Sequence, residues 1–66
     1  MDSETVKTLD EYLDKFIESD LVLIKIKDED YPINSLKKLF LERIRERSIH
    51  GVTSYTFLND LYLEKI

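Results

Sequence analysis

The run Leu21-Val22-Leu23-Ile24-Lys25-Ile26-Lys27 constrains this chain more than any other segment. It is rich in β-branched residues, alternates toward its end, and lies between segments with helical spacing. No other segment reads as a strand in this way. The chain is therefore expected to be a small α+β unit rather than a three-helix bundle. A lone short strand leaves backbone N–H and C=O groups unpaired, so the run also calls for a partner strand.

Helical spacing places a first helix over about Thr5 to Ser19. Val6, Leu9, Leu13, Phe16 and Ile17 form its apolar stripe, with Tyr12 at the border. Ser3 or Thr5 is placed to cap its start. In the strand, Val22, Ile24 and Ile26 share one face, while Leu21, Leu23, Lys25 and Lys27 share the other. Asp28-Glu29-Asp30 reads as a turn. Tyr31-Pro32-Ile33 reads as a short return strand, the alternative being an extended lead into the next helix. A second helix, Leu36 to Ser48, follows a cap at Asn34 or Ser35. The only glycine, Gly51, is placed to end that helix in the left-handed conformation. Thr53 then caps a third helix, with Val52 and Phe57 as a hydrophobic staple and Leu58, Leu61, Tyr62 and Ile66 continuing its stripe. The predicted architecture is a helix, a short strand or hairpin, then two helices around one small core. That core draws on Phe16, Val22, Ile24, Ile26, Phe40, Ile44, Phe57 and Leu61.

At 66 residues the chain is one domain, 1–66, with a marginal core. Small folds add disulfides, a metal or an oligomeric contact. Cysteine is absent, which excludes disulfides, zinc-thiolate sites and thiol nucleophiles. Good helix packing or association with a protein partner or a second copy is the remaining support. Leu21, Leu23, Tyr31 and Leu63 are apolar residues left over once the stripes are assigned, and association would cover them. No stretch approaches the ~20 apolar residues of a membrane span. The acidic N-terminus lacks a signal peptide's apolar core, so the expected compartment is the cytoplasm. Ala, Gln and Trp are absent while Lys, Glu, Ile and Tyr abound, which points to an AT-rich coding genome such as that of a phage or mobile element.

Catalytic chemistry has little to stand on. His50, the single histidine, has no nearby Ser, Cys or Asp pattern to work with and fits a helix C-terminus better. An EF-hand loop starting at Asp28 would put Ile33 at its glycine position and Leu39 at its glutamate position, so that motif fails. One glycine rules out a Gly-rich phosphate loop. No enzyme activity, cofactor, metal or small-molecule ligand is expected. The net charge of −4 and acidic isoelectric point disfavour nucleic acid as a partner. Acids concentrate before residue 31 and bases between Lys37 and Arg47, which suggests a bipolar surface able to steer a partner. Tyr12, Tyr31, Tyr55 and Tyr62 sit at stripe edges, as rims of the core or as interface anchors.

From Leu21 to Ile66 the order strand, helix, glycine-containing corner, helix resembles ribbon-helix-helix DNA-binding proteins. Gly51-Val52-Thr53-Ser54-Tyr55-Thr56-Phe57-Leu58 looks like that family's corner into its second helix. The resemblance implies a dimer whose paired strands enter the major groove. Leu23, Lys25 and Lys27 would face bases, and the amides near Thr53 and Ser54 would hold phosphate. From the residues themselves, the leading expectation is a non-enzymatic protein-interaction module. It would act by strand-edge or helix docking through Leu21, Leu23, Lys25, Lys27, Tyr31 and Tyr55. A dimeric DNA-binding regulator is the alternative.

Overall fold

The computed structural model describes residues 2–66. Helix α1 spans Ser3–Glu18. Its cap is Asp2, whose carboxylate accepts from the Thr5 N–H at 2.8 Å, rather than Ser3 or Thr5. The same hydrogen bond holds the Asp2 carboxyl below its ordinary pKa. Leu9, Leu13 and Phe16 are the buried part of the stripe, and Ile17 lies on its exposed border. The helix ends at Ser19, whose hydroxyl donates back to the Phe16 carbonyl at 2.7 Å.

Strand β1 spans Leu23–Ile26, with Ile24 and Ile26 inward and Leu23 and Lys25 outward, as the alternation requires. Val22 lies before the strand and is exposed, so it leaves the expected core. Asp28 closes an Asx turn onto the Asp30 N–H at 2.9 Å. The expected return strand at Tyr31-Pro32-Ile33 is absent. Pro32 is instead the extended N-cap of helix α2, Ile33–Glu46. Proline's missing N–H costs nothing at a helix start, and its fixed φ leads the chain in. Asn34 and Ser35 consequently lie inside the first turn and cap nothing.

Helix α2 ends in a Schellman motif. The Ile49 N–H donates to the Ile44 carbonyl at 2.9 Å and the Ser48 N–H to the Arg45 carbonyl at 3.1 Å. Ser48, at φ 52°, holds the left-handed position expected of Gly51. Ile49 and Ile44 both pack against the core beside this cap, which supplies the motif's hydrophobic contact. Gly51 is left-handed too, at φ 79°, but it turns the chain into the next strand.

The third helix is the main correction. Residues after Gly51 form a hairpin of β2, Val52–Phe57, and β3, Asp60–Lys65. Leu58 and Asn59, at φ 49° and 64°, make the two-residue loop, the pattern of a type I′ turn. Thr53 therefore caps no helix, Val52 and Phe57 form no staple, and Leu21–Lys27 is not the only strand-forming run. The segment that resembles a ribbon-helix-helix corner is β2. The α+β class holds, with element order helix, strand, helix, strand, strand.

The sheet order is β1-β3-β2, antiparallel throughout. Since β1 and β2 both run against β3, they run parallel to each other, with α2 as the crossover and β3 inserted between them. One core cluster joins Leu9, Leu13 and Phe16 of α1, Leu36 and Phe40 of α2, and Ile26, Val52, Leu61 and Leu63 of the sheet. Both helices thus cover the same sheet face. Phe57, expected in the core, points the other way and is 60% exposed. Ile24 and Ile44 pack against the core but are only half-buried.

Candidate interaction surface

The register defines the uncovered face. Residues directly opposite on paired strands share a face. Leu23, Glu64 and Thr53 form one cross-strand row, and Lys25, Tyr62 and Tyr55 the next. Asp60 and Phe57 close the face beside the hairpin loop. The rings of Tyr55 and Tyr62 stack with centroids 5.5 Å apart and planes 26° apart. That pairing fixes two large side chains before any partner arrives, so little side-chain entropy remains to be lost on contact. Leu23 is 44% exposed on one side of the stack. Leu21 and Ile66 are exposed just past the ends of the strands, and Leu58 is exposed at the loop.

The expected binding residues divide accordingly. Leu23, Lys25 and Tyr55 lie on this one face. Leu21 is exposed just before β1, and Lys27 is exposed just after it. Tyr31 stands apart, half-buried beneath α1, its hydroxyl 3.2 Å from the Thr5 hydroxyl. It borders a shallow groove of about 310 Å³ whose acids include Glu4, Glu11 and Asp28. Leu63, expected to be covered by association, is fully buried in the chain's own core. Tyr62 and Phe57 belong to the face although helical spacing had put them on a helix stripe. The β-branched and aromatic content of Val52–Phe57 and the alternation of Asp60-Leu61-Tyr62-Leu63-Glu64 were the signals.

Much of the bipolar charge is spent internally. The Arg43 guanidinium grips the Asp10 carboxylate through two bonds, Nε to Oδ1 at 3.1 Å and Nη2 to Oδ2 at 3.0 Å. Arg47 bridges Asp10 and Asp14 at 3.2 and 2.8 Å. These hydrogen bonds favour the charged guanidinium and raise the pKa of both arginines. The acids of α1 and the bases of α2 therefore clamp the two helices side by side. Lys37, Lys38 and Arg45 form no ion pair among the described residues.

On the helix side, Tyr12 packs edge-on against Phe40, with centroids 6.0 Å apart, and its hydroxyl donates to Asp28 at 3.3 Å. Lys65 reaches over the Phe16 ring and donates to the Ser19 carbonyl, so a cation closes the negative end of α1. His50 is exposed in the link between α2 and β2. Among the described residues no three His, Cys, Asp or Glu side chains gather to hold a metal ion, and no helix is long and apolar enough to cross a membrane. No family model, curated protein or solved structure matches the chain.

Proposed function

We propose that this chain is a non-enzymatic protein-interaction module of the cytoplasm, binding a protein partner through the uncovered side of its sheet. The observation that carries this reading is the stacked Tyr55–Tyr62 pair, flanked by exposed Leu23 and Phe57 on a face that no element among the described residues covers. Aromatic residues set in an apolar surround and rimmed by polar groups are the composition of a protein interface centre. Here the rim is Lys25, Asp60 and Glu64. Mixed charge suits a protein surface better than a phosphate backbone, which is neutralised by cations alone.

The test uses tagged protein in nuclease-treated extract of the source cell, with Leu23→Asp and Tyr55→Ala alongside. A partner retained by the wild-type chain and lost by both variants, with folding unchanged by circular dichroism, supports the reading. Retention on duplex DNA that falls steeply with salt would replace it with the regulator reading.

A further inference from the structure

The sheet's two outer strands, β1 and β2, differ at their edges. On β2 the bond from the Ile66 N–H to the Gly51 carbonyl, 2.8 Å, fixes which residues pair inward. Antiparallel pairs alternate, so Gly51, Thr53, Tyr55 and Phe57 exchange bonds with β3, while Val52, Ser54 and Thr56 direct their N–H and C=O groups outward. On β1 the corresponding outward residues are Leu23 and Lys25, since the Lys65 N–H donates to the Val22 carbonyl at 2.8 Å. The β1 edge is four residues long and carries a lysine, a familiar guard against unwanted pairing. The β2 edge is six residues long and carries no charge, proline or bulge.

The surface beside the β2 edge is not neutral. Helix α2 packs against β2 and turns Arg43 and Arg47 toward α1. Lys38, Leu41 and Arg45 recur at helical spacing on its opposite flank, away from α1. Lys37 lies beside them. All three cations lack an anionic partner among the described residues. A strand added to β2 would send alternate side chains toward this flank and the others beside Tyr55 and Phe57.

We infer that the β2 edge accepts an extended acidic strand of a partner protein. Its backbone pairs with Val52, Ser54 and Thr56, its acidic side chains face Lys37, Lys38 and Arg45, and its apolar side chains extend the aromatic face. This rests on the interaction-module reading and adds the mode of binding and the partner's chemistry. A second copy of the chain fits less well. Two-fold pairing about Ser54 would complete the backbone bonds, but it would bring Lys38 and Arg45 of one α2 toward the same cations of the other, where like charges repel.

The probes are labelled synthetic peptides of about eight residues, one alternating glutamate with valine and one alternating lysine with valine. Binding is read by fluorescence anisotropy, up to roughly 1 mM peptide. The glutamate peptide is expected to bind and the lysine peptide not. Lys38→Glu/Arg45→Glu should weaken the glutamate peptide by roughly tenfold or more. Thr56→Pro removes an outward N–H while sparing the β2–β3 ladder, and should abolish binding. Amide exchange on the unmutated protein gives an independent reading. Peptide should protect the Val52, Ser54 and Thr56 amides, while those of Thr53, Tyr55 and Phe57 are protected already. Failure of the glutamate peptide to bind, equal binding of both peptides, or no new amide protection overturns the inference. So does a dimer in sedimentation that Thr56→Pro converts to monomer. If the extract partner is lost with Leu23→Asp but kept with Thr56→Pro, the edge mode falls and the module reading stands. If no variant or wild-type protein retains a protein partner after nuclease, the module reading itself falls.

Discussion

Strand β3 passes between two environments with every residue. Leu61 and Leu63 are fully buried beneath the helices, while Tyr62 between them is half-buried against Tyr55 on the opposite face. The covered face is filled by aliphatic side chains and two phenylalanines, which folding requires in a domain this small. The open face carries exposed Phe57 and Leu23 beside the half-buried Tyr55 and Tyr62, apolar surface that the core does not use. One face is explained by stability. The other is the surface through which the proposed partner would bind.

Neighbouring residues test that division directly. Leu63→Ala should cost about 2–5 kcal/mol, the range for emptying a closed core site. A domain of this length holds only about 3–10 kcal/mol in total, so urea unfolding should show a chain at or near collapse. Tyr62→Ala, one residue earlier, should cost about 1 kcal/mol, the worth of a stacked cross-strand pair. Its larger effect should be on partner binding. If Tyr62→Ala destabilises as much as Leu63→Ala, the open face is part of the folding core and the division is wrong.

How much of this was readable in the sequence depended on which periodicity a segment satisfied. Leu9, Leu13 and Phe16 repeat only with helical spacing, so α1 was plain. Ile24, Lys25 and Ile26 alternate, so β1 and the outward placement of Leu23 and Lys25 were plain as well. Val52–Lys65 satisfies both patterns. Phe57, Leu58, Leu61 and Tyr62 fall at helical intervals, yet Val52–Phe57 is rich in β-branched and aromatic residues and Leu61 and Leu63 alternate with Asp60, Tyr62 and Glu64. A lone strand β1 needed a partner, and that tertiary demand settles the ambiguity in favour of the hairpin. The turn itself was hidden, because Leu58-Asn59 lacks the glycine that marks a type I′ loop. The cap of α2 was hidden in the same way, with serine at the left-handed position and glycine three residues later.

Those two turns supply the next effect in size. Leucine in the left-handed region is strained by about 1–2 kcal/mol. Leu58→Asn with Asn59→Gly should therefore stabilise the hairpin by about 1 kcal/mol and raise the melting temperature by roughly 4–8 °C. Ser48→Gly should add about 0.4–1 kcal/mol for the same reason. Neither change alters a residue paired across the open face, so partner affinity should stay constant while stability rises. A parallel gain in affinity would mean that hairpin order limits binding, and that the two faces are not independent.

The smallest effect comes from the tyrosine on the helix side. Burial, and after it the Asp28 carboxylate, raises the Tyr12 pKa above its ordinary value near 10.0. Between the ordinary value and the raised one, the folded chain keeps a proton that the unfolded chain has lost. Stability from this group is therefore fully present below about pH 10 and declines as pH rises through the folded value. Tyr12→Phe keeps the ring against Phe40 but removes the titrating hydroxyl. Urea unfolding at about pH 8 and about pH 11 should show a smaller alkaline loss for the variant than for the wild-type chain. Equal losses would mean that the hydroxyl is as well solvated in the folded chain as in the unfolded one. Tyr12 would then contribute through its ring against Phe40 alone.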